Sequence, residues 1–187
     1  MRHICLILFL ILGAAVAPLV SAADENNVDL PKKGKELAPV PAVLAEARYL
    51  TKRKPNLKAQ YYAFIRSASW CVPCKIFVPP VMKDYGRMRG AKVELIFLGM
   101  EEESVVKNYV SEDRYKCPVV LASELGSVPG LKFEAGLPRM CIVDAAGNFV
   151  FEAGGKYMQD WKKSLFAFQQ EQRKLKAKEK ASQKAQD

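Results

Sequence analysis

The run KVELIFLGM, Lys92–Met100, constrains this chain more than any other segment. It is apolar at nearly every position. A strand with one wet face alternates apolar with polar residues, whereas a nearly continuous apolar strand is covered on both faces, as at the centre of a parallel sheet. Such a sheet needs helices around it, and the flanking sequence supplies them. KAQYYAFIRSAS, Lys58–Ser69, is aromatic and β-branched enough for a strand. From Cys71 to Arg89 the pattern predicts one helix, kinked at Pro79 and Pro80. EEESVVKNYVSE, from Glu101, predicts another, and CPVVLA, from Cys117, a short strand. PRMCIVDAAGNFVFEAG, from Pro138, reads as a hairpin around Gly147-Asn148. Upstream, Pro41 suits a first helical turn, with Val43, Leu44, Ala47 and Leu50 at helical spacing. Trp161, Leu165 and Phe168 mark one face of a last helix. The order implies an α/β domain with a central sheet flanked by helices, closed by a hairpin and a C-terminal helix.

Ahead of this domain, residues 1–22 open with Arg2 and His3, continue as an apolar run and end Val-Ser-Ala. This is the pattern of an export signal cleaved after Ala22, with an uncleaved membrane anchor as the alternative. No other run is long and apolar enough to span a bilayer, so the mature chain is expected outside the cytoplasm, periplasmic or secreted, with no stable membrane span. Residues 23–36 are polar and read as a linker, 37–168 as the domain, and 169–187 as a basic helix end and tail. The net charge is +9, of which Arg2 leaves with the signal. No basic stripe is interleaved with aromatics, so nucleic acid is not an expected partner. The sequence does not set an oligomeric state.

Export permits disulfides. Four of the five cysteines lie beyond the signal: Cys71, Cys74, Cys117 and Cys141. A zinc site would need Cys117 and Cys141 to join the Cys71–Cys74 pair, since there is no histidine outside the signal. Haem attachment would need a histidine where Lys75 stands. A structural disulfide stays open. The redox alternative has a mechanism. A cysteine that ends a strand-to-helix turn meets unpaired backbone N–H groups and the positive end of the helix dipole, and both favour thiolate. Cys71 is so placed. Cys74, one turn on, can attack a mixed disulfide on Cys71. Pro73 between them removes one N–H. Cys141, in an apolar strand, reads as a buried small residue, and Cys117, before Pro118, as an exposed one. No cofactor and no metal are expected.

The stretch Trp70-Cys71-Val72-Pro73-Cys74, with Pro79 beyond it and Leu137-Pro138 leading into the hairpin, resembles the thioredoxin superfamily. SASWCVPC together with GMEEE is similar to tryparedoxin and nucleoredoxin, and WCVPC with GLPRMCIVDAAGNFVFEAGG resembles the TlpA-like secreted thiol–disulfide reductases. The likeness runs from about Lys54 to Phe168. It implies a thioredoxin fold, a cis bond at Pro138, and substrate contacts from Trp70, Val72, Pro73, Leu137 and Pro138. It implies a thiol–disulfide oxidoreductase acting on protein thiols or disulfides, more a reductase than an oxidant, recharged by a thiol electron donor of unknown identity. A disulfide oxidase or isomerase, or a non-catalytic binding module, are the alternatives. Two positions depart from the pattern. Ile65 stands where thioredoxin has a buried Asp, and Arg139 follows Pro138 where many relatives have Thr.

With Ile65 unable to move a proton, another group must take it from Cys74. KVELIFLGM is expected beside the strand leading into Cys71, and it ends in Glu101, Glu102 and Glu103. In open α/β sheets functional groups gather at the carboxyl ends of strands. Glu101 or Glu102, directly or through one water, is the expected base. An acidic first turn favoured by the helix dipole is the alternative.

Overall fold

The computed structural model describes residues 38–110 and 115–184. The expected signal and linker, 1–22 and 23–36, lie outside them. Five strands form one mixed sheet: β1 Tyr61–Ser67, β2 Val93–Gly99, β3 Val119–Leu121, β4 Arg139–Asp144 and β5 Phe149–Gly154. Their spatial order is β3-β2-β1-β4-β5. The first three run parallel, β4 is antiparallel to β1, and β5 to β4. As the apolar run required, β2 is buried at every position and has a neighbour on each side.

Five helices accompany the sheet: α1 Pro39–Glu46, α2 Val72–Lys83, α3 Tyr85–Gly90, α4 Glu103–Val110 and α5 Trp161–Lys184, with a 3-10 turn at Gly155–Asp160. The period of two in a strand divides the core. On one face Ala63, Ile65, Leu95, Phe97, Met140 and Ile142 meet Val78 and Val81 of α2, Met88, Val106, Trp161 and Leu165. On the other, Tyr62, Phe64, Ile96, Leu98 and Val143 meet Val40 and Leu44 of α1. Burying each large apolar side chain contributes about 2 kcal/mol, so slipping β2 by one residue would exchange two complete sets of contacts.

The helix expected from Cys71 to Arg89 is two. Pro79 and Pro80 lie inside α2 without ending it. They remove two backbone donors, but Val78 and Val81 on the buried face hold that turn against the sheet. The break comes at Asp84. Its N–H closes back on the Val81 carbonyl at 3.0 Å, and its carboxylate takes Arg87 at 2.7 Å and the Trp161 indole N–H at 3.4 Å. Helix α1 also stops short of its expected end. Ala47 lies beyond it, and the Leu50 N–H donates to the Val119 carbonyl at 2.8 Å, so this segment follows the β3 edge instead. Trp161, Leu165 and Phe168 open α5 as expected, and the helix continues well past Phe168.

One member of the apolar run is a carboxylate. Glu94 is 2 % exposed and accepts the Tyr85 hydroxyl at 2.7 Å. Burial raises its pKa above the ordinary carboxylate value, against the opposing effects of the Tyr85 bond and the Arg89 charge. A carboxyl with a raised folded-state pKa binds more protons folded than unfolded, so its contribution to stability is lost as pH rises from the unfolded value through the folded one. Glu94→Gln should therefore raise the melting temperature at pH 7 by roughly 2–4 °C, the scale of 1 kcal/mol in a domain of this size. The gain should shrink below the ordinary carboxylate pKa. Thermal melts between pH 4 and 8 measure it, and a lower melting temperature at pH 7 would show that the Tyr85 bond outweighs the desolvation.

Candidate active site

Strand β1 delivers the cysteines. After Ser67 the chain turns, the Cys71 N–H closes on the Ala68 carbonyl at 3.2 Å, and α2 begins. Cys71 is the cap of that helix. Its backbone is extended, and its Sγ accepts the Cys74 N–H at 3.2 Å. Cys71 and Cys74 are joined as a disulfide. Cys71 is 3 % exposed and Cys74 fully buried, so an incoming sulfur meets Cys71 first. On reduction, the N–H already aimed at Cys71 Sγ and the free N–H groups of the first turn of α2 favour a thiolate there. Trp70, Val72 and Ile76 surround the pair as exposed apolar side chains, and Pro73 is exposed between the cysteines.

The Leu137–Pro138 peptide bond is cis. Strand β4 starts at the next residue, where Arg139 pairs with Arg66 of β1. The cis bond thus lies at the carboxyl end of β1, the same sheet edge as Cys71. That register sets two arginines opposite each other, and each is held differently. Arg139 is gripped by Glu152 through Nε and Nη2, and by Glu134 at 2.5 Å. Arg66 lies over the Phe133 ring at 4.8 Å and donates to the carbonyls of Glu134 and Gly136, at 3.3 and 3.2 Å. Both arginines therefore brace the loop that leads into Leu137. Sequence reasoning left their partners unnamed, although the opposed pair follows once β1 and β4 are aligned.

The three glutamates after β2 have separate surroundings. Glu101 turns back to the loop before the cysteines: its Oε1 accepts the Ser69 hydroxyl at 2.8 Å and its Oε2 the Ser69 N–H at 2.5 Å. This also follows from register, because Ser67 pairs with Gly99 and two residues further on Ser69 faces Glu101. Glu102 is exposed and uses its carbonyl to accept the Val106 N–H. Glu103 is bound by Arg48 at 2.7 Å and Lys107 at 2.5 Å, which hold its carboxyl down to about 2.

Cys117 corrects an expectation: it is buried, not exposed. It packs on the cysteine-bearing face with its sulfur 3.8 Å from that of Met82, and burial pushes its thiol up to about 12. Pro118 and the β2–β3 pairing draw it under α2, which a polar local context does not reveal. Cys141 is buried as expected, on the opposite face, its thiol pushed up to about 11 by burial. The two cannot converge on Cys71 and Cys74, and no group of three metal-ligating side chains occurs among the described residues.

A thiol:disulfide interchange protein of the thioredoxin family from Chlorobium tepidum TLS is similar to this chain with a TM-score of 0.52, at 21 % identity, over 71 % of this chain and 97 % of that one. The chain has the thioredoxin fold. Within the thioredoxin fold, a thiol:disulfide interchange protein from Bacteroides sp. is similar at 20 % identity, over 54 % of this chain and 69 % of that one, with a TM-score of 0.45. A secreted disulfide oxidoreductase of Mycobacterium tuberculosis is similar at 11 % identity, over 65 % and 93 %, with a TM-score of 0.48. No family model and no curated protein matches the chain. In this setting of the thioredoxin fold, Cys71 caps α2 just after β1, Cys74 lies in the first turn of α2, and Leu137–Pro138 is the entry to β4.

Proposed function

We propose that this protein is an exported thiol–disulfide oxidoreductase that reduces disulfides of other proteins. The observation that carries it is Cys71 at the cap of α2, its sulfur receiving the Cys74 N–H and bonded to Cys74. The name of the Chlorobium tepidum protein, a thiol:disulfide interchange protein, supports the same chemistry. In the reduced protein the Cys71 thiolate attacks one sulfur of the substrate disulfide. A mixed disulfide forms and one substrate thiolate leaves. The Cys74 sulfur, losing its proton, then attacks Cys71 Sγ. The second substrate thiolate leaves, and the Cys71–Cys74 disulfide remains, two electrons having passed to the substrate. An external thiol donor returns them. Trp70, Val72 and Pro73 form the apolar approach to the pair, and the backbone at Leu137 and Pro138 holds the substrate segment.

Export rests on the N-terminal pattern: protein recovered outside the cytoplasm should begin at Ala23 on N-terminal sequencing. Among the described residues no helix is long and apolar enough to cross a membrane. Catalysis is tested by turnover of insulin disulfides with a dithiol donor, together with the equilibrium reduction potential of Cys71–Cys74. Turnover no faster than the donor alone would leave a binding module. A potential near about −120 mV, where strong oxidants of this chemistry lie, would reverse the direction.

Glu101 and Glu102 remain the candidates to receive the Cys74 proton, and the bond to Ser69 favours Glu101, directly or through one water. Glu101→Gln should slow resolution of the mixed disulfide by about a hundredfold, the lower end of what a positioned proton acceptor contributes. Glu102→Gln should leave it unchanged. Stopped-flow rates across pH measure both. A Glu101→Gln rate and pH profile equal to wild type would reduce Glu101 to a clasp on Ser69.

A further inference from the structure

Two depressions run along α2 away from the cysteines. One, of about 610 Å³, begins at Ser69 and Lys75 and reaches Pro79, Tyr109 and Tyr115. The next, of about 650 Å³, shares Pro79 and Tyr115 and carries Arg53, Lys83, Arg89 and Lys116 around Tyr85. The two adjoin at Pro79 and Tyr115, so an extended chain lying along α2 would pass from one into the other as along one groove. It starts beside the redox pair and ends among four exposed cations. Among the described residues none of the four has an ion-pair partner. The nearest buried carboxylate, Glu94, lies in an adjoining cleft that shares Arg53, Tyr85 and Arg89, and it is occupied by the Tyr85 hydroxyl. Among the described residues the cationic end therefore holds no ion pair, the Arg89 charge acting only at longer range on Glu94, while its lining offers tyrosine, proline and methionine surface.

We infer that this groove receives an acidic, extended segment of the partner protein whose disulfide reacts at Cys71. This rests on the oxidoreductase reading and adds the chemistry of its partner. The length is set by α2. Cys71 to Lys83 is twelve helical steps, about 18 Å at 1.5 Å each. An extended chain covers that distance in about five or six residues at 3.3 Å each. The partner's carboxylates belong at that separation from its reacting cysteine. Continuity with the cysteine pair favours the reacting chain itself over a free anion. Charges at the rim of such a groove act mainly on encounter rate and partner choice, and salt weakens them.

The test uses synthetic peptides with one cysteine, held as a mixed disulfide with mercaptoethanol, and a cluster of glutamates about six residues away. Matched peptides carry glutamine instead, or place the glutamates about two residues away. The reduced protein should react with the six-residue glutamate peptide about tenfold faster than with its glutamine match, and the ratio should fall in high salt. It should fall to about one in the variant Arg53→Gln/Lys83→Gln/Arg89→Gln/Lys116→Gln. It should persist when the same charge is removed from α5 by Lys162→Gln/Lys163→Gln/Lys174→Gln/Lys176→Gln. Fluorescence anisotropy with the Cys71→Ser/Cys74→Ser protein measures binding of the same peptides without any exchange.

Equal losses in the two charge variants would mean diffuse steering by the net charge and would overturn the inference. So would equal rates at both spacings, or full displacement of the peptide by millimolar inorganic phosphate, which marks a small-anion site. Failure to reduce hydroxyethyl disulfide, a neutral substrate, would defeat the oxidoreductase reading instead. Anisotropy would still decide whether the groove takes an acidic segment.

Discussion

Cys71→Ser should abolish disulfide exchange, lowering the rate by about a thousandfold or more, the scale of losing a nucleophile. Cys74→Ser should have a different outcome: Cys71 still attacks, and the protein accumulates as mixed disulfides with its partners. The asymmetry comes from the helix start. Cys71 caps α2, is the only member of the pair with any exposure, and receives the Cys74 N–H. Cys74 is fully buried one turn inside, where it reaches Cys71 but not an incoming substrate. Neither of the other two cysteines among the described residues can stand in. Cys117 and Cys141 are buried, with thiols pushed up to about 12 and about 11, so their thiolate fractions at neutral pH are negligible. Non-reducing electrophoresis of the single variants, and alkylation rates of the reduced wild type resolved by peptide mapping, measure the effect. Faster alkylation of Cys74 than of Cys71 would exchange the two roles.

The elements that were legible in the sequence are those whose burial follows a period. Strand β2 announced itself by an apolar run, the β4–β5 hairpin by two apolar stretches around Gly147-Asn148, and α5 by the spacing of Trp161 and Leu165. That Cys71 and Cys74 sit where a strand turns into a helix was legible because their spacing and the preceding strand are local. What escaped is set by partners distant in sequence. Glu94 reads as a flaw in an apolar run until Tyr85 reaches it. The end of α2 at Asp84 depends on Trp161, from the far end of the domain. Arg66 and Arg139 look like exposed charges until the β1–β4 register sets them face to face and Glu152 and the 134–136 backbone take them up. The apolar context of Cys141 was local and sufficed, whereas that of Cys117 comes from α2 and was not visible.

Gly130→Ala should be the most damaging alanine substitution among the described glycines, lowering stability by about 3 kcal/mol or more, the range of severe backbone strain combined with overpacking. Gly130 has φ +72°, a conformation that costs an L-residue about 1 kcal/mol, and a Cβ there would lie 1.8 Å from the Gly147 carbonyl oxygen. The obstacle is backbone, so no rotamer change relieves it. Gly147, at φ +92°, is locked in return: its own Cβ would meet the Pro129 side chain at 2.5 Å. The loop at Pro129–Gly130 and the turn of the β4–β5 hairpin therefore fit only as two bare backbones. The hairpin matters because the entry to β4 carries Leu137–Pro138, so loosening the turn should reach the cysteine edge of the sheet as well as the core. In a domain of this size 3 kcal/mol corresponds to a fall in melting temperature of roughly 6–12 °C. Two controls separate the causes. Gly136→Ala adds a methyl at φ +93° with nothing within 4 Å, so it should show the cost of backbone strain alone, about 1 kcal/mol. Gly90→Ala adds one in open space without that strain and should be neutral or slightly stabilising. Denaturant melts of the three variants rank them, and a Gly130→Ala protein no less stable than Gly136→Ala would show that the two loops separate without cost.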